Sequence, residues 1–257
     1  MRIIFSLAVS LCLTLPAWAE KITIVADEWC PYNCEANSDK PGFMVELARE
    51  IFSKHGIEVE YNIVPWKRAV EGTIKGDYDG VICIAKAEGG KEILYPQNYQ
   101  ALSQYEIYIL KDSEWKFRGI YSLKDVRLGI IADYSYGNLD DYIEKNKLDN
   151  TKIQIATTDN ATQVNLKKLL SGRVTAIIED RYVMAYLLNK NGLKEKVISA
   201  GLTHPIPIPD TDYLYIGFSP KTSNGKKYSK ILSDGTVEMQ ENGRFKAIKE
   251  KYGIREN

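Results

Sequence analysis

The chain has 257 residues, with 34 basic and 34 acidic side chains and a formal net charge of zero. Apolar residues make up 44% and charged residues 26%, an ordinary globular composition that excludes a disordered, collagen-like or coiled-coil chain. The neutral balance leaves no electrostatic footprint for nucleic acid, and the length admits one large domain or two lobes with separate cores.

The N-terminus reads as a cleavable export signal. Arg2 supplies the positive charge, residues 3–15 form an apolar run, and Ala17-Trp18-Ala19 place small residues where a signal peptidase cuts. Residues 1–19 are therefore expected to be removed. The run is short for a membrane anchor, which needs about 20 apolar residues. Cys12 follows Leu11, not the small residue a lipoprotein signal wants. No later stretch is long and apolar enough to span a bilayer, so the mature chain is expected to be soluble and exported.

Residues 21–26 are β-branched and compact and read as a buried strand. Cys30 and Cys34 follow. In an oxidising compartment they can pair across Pro31-Tyr32-Asn33. Closing so small a loop stabilises by only about 2 kcal/mol in the chain-entropy model, so the bridge would mainly shape the loop carrying Tyr32. The rival reading is a metal or redox pair. The spacing offers no second ligand pair for it, and His55 and His204 have no ligand spacing. Residues 42–52 then place Phe43, Leu47, Ala48, Ile51 and Phe52 at helical spacing, with Gly56 as a stop. Ile57, Val59, Tyr61 and Ile63 alternate with Glu58, Glu60 and Asn62, the pattern of a half-buried strand. A short helix over 67–75 ends at Gly76, and 81–84 form another strand in which Cys83 reads as a buried free thiol. Alternating strands and helices imply a parallel-rich α/β unit.

The pattern recurs. Residues 127–131 read as a strand, 139–145 as a helix, 153–156 as a strand, 160–170 as a helix ending at Gly172, and 176–178 as a strand. In both units a helix stops at a glycine, Gly76 or Gly172, and a buried strand begins a few residues later. This supports two similar lobes. The proline-rich stretch 202–209 is expected to lack regular structure. Residues 213–218 read as a strand, and 226–241 and 244–251 as closing helices around Asn242-Gly243. The chain is expected to leave lobe one near Ile109 and return near Tyr213. That gives lobe one as 20–109 plus 213–257, lobe two as 110–212, and two crossings forming a hinge.

In open parallel sheets, ligands bind beyond the carboxyl ends of the strands. The rule selects Asp27-Glu28-Trp29-Cys30-Pro31-Tyr32, Ala85-Lys86-Ala87-Glu88, Asp133-Tyr134-Ser135-Tyr136-Gly137 and Glu179-Asp180-Arg181. Aromatic faces, hydroxyls and charges of both signs suit a small zwitterion or polar molecule.

Trp29-Cys30-Pro31-Tyr32, Gly42-Phe43-Met44-Val45-Glu46-Leu47, Gly76-Asp77-Tyr78-Asp79-Gly80, Tyr95-Pro96, Leu123-Lys124-Asp125-Val126, Gly172-Arg173-Val174 and Asn242-Gly243-Arg244-Phe245 occur in this order over nearly the whole mature chain. In these segments the chain resembles the bacterial solute-binding proteins of family 3, the amino-acid type found with ABC transporters. The resemblance implies a type II periplasmic binding protein fold, each lobe a mostly parallel sheet flanked by helices. It also implies a monomer in the periplasm, with an ABC transporter membrane permease as partner and neither cofactor nor metal.

Carried over residue by residue, Tyr32 matches the aromatic that stacks on ligand; the alternative is a surface-loop tyrosine. Trp66 reads as a site wall or as a core tryptophan. Asp180 matches the carboxylate that holds a ligand amine, and can also cap the helix beginning at Arg181. Tyr134 and Ser135 match the loop that receives a ligand carboxylate, where a helix starting near Leu139 leaves free N–H groups. One departure matters. The family's amino-acid binders usually carry a Thr-x-x-Arg clamp, and here the run is Ala85-Lys86-Ala87-Glu88-Gly89-Gly90-Lys91, without arginine. Lysine is no equivalent of the bidentate arginine fork. Arg68 and Lys86 are candidate substitutes, or else solvated surface charges. Two other readings share the fold: a dehydratase acting on cyclic dienyl acids, with Glu28 or Glu179 as general acid, and a ligand sensor docking on a receptor.

Overall fold

A computed structural model describes residues 20–158 and 160–255. The expected signal, residues 1–19 with Cys12, lies outside the described residues. The first part of the chain runs β1 (Glu20–Ala26), α1 (Phe43–Ser53), β2 (Ile57–Ile63), α2 (Trp66–Lys75), β3 (Gly80–Ile84), α3 (Lys86–Gly89) and β4 (Ala101–Leu102). Then come β5 (Tyr105–Leu110), β6 (Leu128–Ile131), α4 (Asp140–Asn146), β7 (Ile153–Ala156), α5 (Ala161–Leu170), β8 (Ala176–Asp180), α6 (Arg181–Lys190), β9 (Val197–Leu202) and α7 (Pro209–Asp212). The chain closes with β10 (Tyr213–Phe218), α8 (Gly225–Glu241) and α9 (Arg244–Lys251).

The strands form two sheets, ordered β2-β1-β3-β10-β4 and β7-β6-β8-β5-β9. In the first, β1 runs parallel to β2 and β3, and β10 antiparallel to β3 and β4. In the second, β6 runs parallel to β7 and β8, and β5 antiparallel to β8 and β9. The fold is thus two-lobed α/β, and both sheets repeat one plan. The repeated glycines explain part of this: Gly76 and Gly172 both adopt positive φ, ending α2 and turning the chain after α5 toward the central strands.

Side-chain pattern sets the layers. Ile57, Val59 and Tyr61 of β2 are buried while Glu58 and Asn62 are exposed. Phe43, Leu47 and Ile51 of α1, spaced four apart, are buried together with Met44, Ala48 and Phe52. Strands β3 and β8 are buried along their whole length, as expected for sheet centres covered on both faces.

Two boundaries differ from the sequence reading. The chain passes from the first sheet to the second at Ser103–Gln104, not near Ile109, because Tyr105–Leu110 pairs with β8 and β9. Residues 202–209 are not wholly irregular: Leu202 ends β9 and Pro209 begins α7, where the missing proline N–H costs nothing. The return crossing lies at Asp212–Tyr213. The two crossings are bonded to each other, the Ser103 N–H donating to the Asp212 carbonyl (2.8 Å).

Cys30 and Cys34 form a disulfide, and Cys83 is a buried free thiol. The bridged loop seats the start of α1. The N–H groups of Phe43 and Met44 donate to the carbonyls of Pro31 and Tyr32 (both 2.9 Å), partners that the first turn of a helix otherwise lacks. This contact needs Gly42. Its φ is +117°, and a Cβ there would sit 2.4 Å from the Tyr32 carbonyl oxygen and 2.6 Å from Asn33 Cα. Gly42→Ala is expected to destabilise the protein by about 3 kcal/mol, lowering the thermal midpoint by roughly 6–12 °C. Gly56→Ala, with positive φ but nothing within 4 Å, should cost about a third as much. Equal losses in calorimetry would show that close approach at Gly42 is unimportant.

Candidate functional site

The carboxyl ends of β1, β3, β6 and β8 meet between the sheets, and each delivers a polar side chain. Asp180, the last residue of β8, is wholly buried and caps α6, accepting from the Tyr182 and Val183 N–H groups (2.8 and 3.1 Å). Its other oxygen accepts from the Ser103 hydroxyl (2.9 Å) and the Gln104 N–H (3.0 Å) at the first crossing. The Tyr32 hydroxyl, from the other lobe, lies 3.3 Å from both oxygens. Burial pushes the Asp180 carboxyl up to about 6, and these donors oppose it.

Glu179 reaches in another direction. It accepts from Trp29 Nε1 (2.9 Å), the Thr162 hydroxyl (2.6 Å) and the Asp180 N–H (2.9 Å). Burial pushes its carboxyl up to about 7, again against its donors. The Trp29 bond crosses between the lobes, and so does that from the Tyr134 hydroxyl to Asp27 (2.7 Å). Burial, reinforced by the Asp27 and Glu179 charges, holds the Tyr134 hydroxyl well above its ordinary range, so it stays a donor.

A third cross-lobe contact involves Glu88. Its carboxyl accepts from the Ala85 N–H (3.0 Å) and lines the same cavity as Ser135 of the other lobe; burial pushes it up to about 8, and the Ala85 and Ser135 backbones oppose the rise. The residue as a whole is only partly buried; its carboxyl is the inner end. Beside it, Asp140 of α4 accepts from the Ser135 hydroxyl and the Tyr136 N–H (both 2.6 Å).

Beside these groups lies a small cavity between the lobes, lined among others by Asp27, Trp29, Trp66, Glu88, Tyr134 and Ser135. Its volume is about 10 Å³, room for roughly one water. Aromatic rings form its walls: Tyr134 meets Trp29 (6.2 Å, 87°) and Trp66 (5.8 Å, 69°) edge to face.

Of the residues singled out from sequence, Trp66, Tyr134 and Ser135 line this cavity. Tyr32 is wholly buried behind it, stacked on Trp29 at 4.9 Å, and Asp180 lies beneath at the crossing. Arg68 is exposed and does not line it. Lys86 is also exposed, its ammonium 5.4 Å from the centre of the Tyr215 ring. Asp27, Trp29 and Glu88 were not singled out, although each lies in a strand-end segment. The signal that finds them is position after β1 and β3, taken without the family's expectation of an arginine.

The model of the bacterial extracellular solute-binding proteins, family 3, matches residues 22–255. No curated protein sequence matches the chain. Among solved structures, the chain is similar to a histidine kinase sensor domain with similarity to periplasmic binding proteins, at 17% identity over 90% of this chain and 95% of that one, TM-score 0.73. It is also similar to an ancestral arginine-binding protein bound to arginine (18%, covering 90% and 97%, TM-score 0.71). A third is an arginine 3rd transport system periplasmic binding protein from Legionella pneumophila (16%, covering 91% and 99%, TM-score 0.70). At these identities the likeness shows the fold alone.

Glu179 sets a pH signature. Its folded carboxyl titrates near 7 against an ordinary 4.5, so the folded chain keeps a proton that the unfolded chain has lost. The contribution is therefore present at low pH and lost as the pH rises through about 7. Between pH 5 and 8 the stability of the wild type relative to Glu179→Gln is expected to fall by on the order of 2 kcal/mol. A pH-independent difference in denaturant midpoints would mean the carboxyl is ionised throughout.

Proposed function

Because the chain belongs to the bacterial extracellular solute-binding proteins, family 3, we propose that it captures a small polar solute between its lobes in the periplasm and delivers it to an ABC transporter permease. The observation that carries this reading is the enclosed cavity to which both lobes contribute side chains at their strand ends. Its structural neighbours, arginine-binding proteins among them, favour an amino acid or a related compound.

The cavity is far smaller than such a solute, so entry requires the lobes to part. The two short crossings, Ser103–Gln104 and Asp212–Tyr213, are where backbone rotation would separate a first body, 20–102 plus 213–257, from a second, 105–212. Opening breaks the Trp29–Glu179 and Tyr134–Asp27 bonds. Closing on a solute restores the first and redirects the second. The closed shape is then the form a permease recognises, and binding need only favour that shape over the open one. In this reading Trp66, Tyr134 and Ser135 touch the solute, Tyr32 and Asp180 position the lobes, and Arg68 and Lys86, exposed and outside the cavity lining, do not hold it. Residues 1–19 act as the export signal. Among the described residues no helix is long and apolar enough to cross a membrane.

Thermal unfolding of residues 20–257 tests the reading against amino acids, polyamines, small carboxylates and arogenate. A solute at about a hundred times its dissociation constant should raise the midpoint by roughly 5–10 °C. Small-angle scattering should show contraction with the same solute, and Trp66→Ala should weaken both responses. A flat midpoint and unchanged scattering with every compound would overturn solute capture. Arogenate turnover lost in Glu28→Gln or Glu179→Gln would indicate the enzyme instead, and co-purification with a receptor ectodomain but no permease would indicate sensing.

A further inference from the structure

We propose that the solute taken between the lobes is an organic cation without a carboxylate, an amine or guanidine recognised by aromatic walls and two acidic side chains. This rests on the solute-binding reading above and names the chemical class its cavity fits.

Three observations converge. The first is charge: among the described residues Asp27 and Glu88 are the only acidic residues lining the cavity and no basic one joins them, and Glu88, held protonated by burial, can ionise against an arriving cation. Arg68 and Lys86, the nearest candidates for anion recognition in the sequence, are both exposed. A carboxylate brought there would meet Asp27 and no cation, in a setting where water screens little.

The second is that the donors suited to a ligand carboxylate are taken. The turn after β6 leads into α4 and presents the Ser135 and Tyr136 backbone N–H groups and the Ser135 hydroxyl. The chain's own Asp140 occupies two of them, taking the Tyr136 N–H and the Ser135 hydroxyl at 2.6 Å each, and Glu88 lines the cavity beside the third. An incoming carboxylate would have to expel a built-in one. An ammonium or guanidinium instead adds donors to a site rich in acceptors.

The third is the walls. Trp29, Trp66 and Tyr134 stand edge to face, so their planes turn in different directions around one small space. Ring faces attract cations, most strongly where water is excluded. The Tyr134 hydroxyl donates to Asp27 in the closed form. A cation arriving at Asp27 can replace that donor as the lobes part and close again.

The test uses matched pairs that differ by a carboxylate alone: agmatine and arginine, cadaverine and lysine, histamine and histidine, tyramine and tyrosine. Residues 20–257 are titrated with each by calorimetry and thermal unfolding. The expected result is that at least one amine binds, and binds ten times or more tightly than its parent amino acid. Glu88→Gln and Asp27→Asn should each weaken that amine at least tenfold, without creating affinity for the amino acid. If either variant fails to fold, the wild-type ratio within the pair still decides. An amino acid that binds as tightly as its amine overturns the cation assignment while leaving solute capture intact, as does binding of a neutral or anionic solute alone. No response to any amine overturns the assignment too, and unchanged scattering with every solute class would then remove the solute-binding reading as well.

Discussion

Glu179 and Asp180 stand side by side at the buried end of β8 and accept hydrogen bonds from both lobes. Successive strand residues point to opposite faces, so one carboxylate serves the cavity side and the other the crossing. Glu179 takes Trp29 and Thr162. Asp180 takes the α6 N-terminus, Ser103, Gln104 and Tyr32. Burying two adjacent acids is costly, and the cost is bearable only because nearly every lone pair meets a donor. Remove those donors and the end of β8 has no stable place between the lobes.

The donors are held by a stiff neighbour. The Trp29 N–H bonds the Asn33 carbonyl (2.8 Å), the Asn33 amide bonds the Asp27 carbonyl (2.6 Å), and the Cys30–Cys34 bridge closes the same loop. Gly42 lets α1 press its first turn onto this loop. Trp29 and Tyr32, stacked on each other, are therefore presented to β8 as one unit. A rigid wall of this kind fixes the geometry in which Trp29 and Tyr32 meet their partners on β8.

Burial between the lobes also sets the protonation of these acids. Glu88, Glu179 and Asp180 are all held above the ordinary carboxylate range, and burial is the leading cause in each. Opening the lobes would return the carboxyls facing the cleft to water and release their protons. The closed form is thus favoured by aromatic packing and opposed by the desolvation of its acids.

Much of this architecture is legible in the sequence. Alternation in residues 57–63, the four-residue spacing in 43–51 and the stops at Gly76 and Gly172 determine their elements by local physics, and the repeat of one plan implies two lobes. The strand-end rule finds the segments of the site. What it does not decide is which side chain in each segment matters. Tyr32, expected against a solute, is buried behind Trp29, and Glu88, unremarkable in sequence, reaches the opposite lobe. The strand Tyr105–Leu110 was hidden because its partners, β8 and β9, lie far along the chain. A strand's allegiance to one sheet is a non-local pairing that no local pattern encodes. The same holds for the cavity's charge. Composition is neutral, but only the packing of two lobes brings Asp27 and Glu88 together while leaving Arg68 and Lys86 in solvent. Local spacing determined the elements, and long-range contact alone decided the chemistry between them.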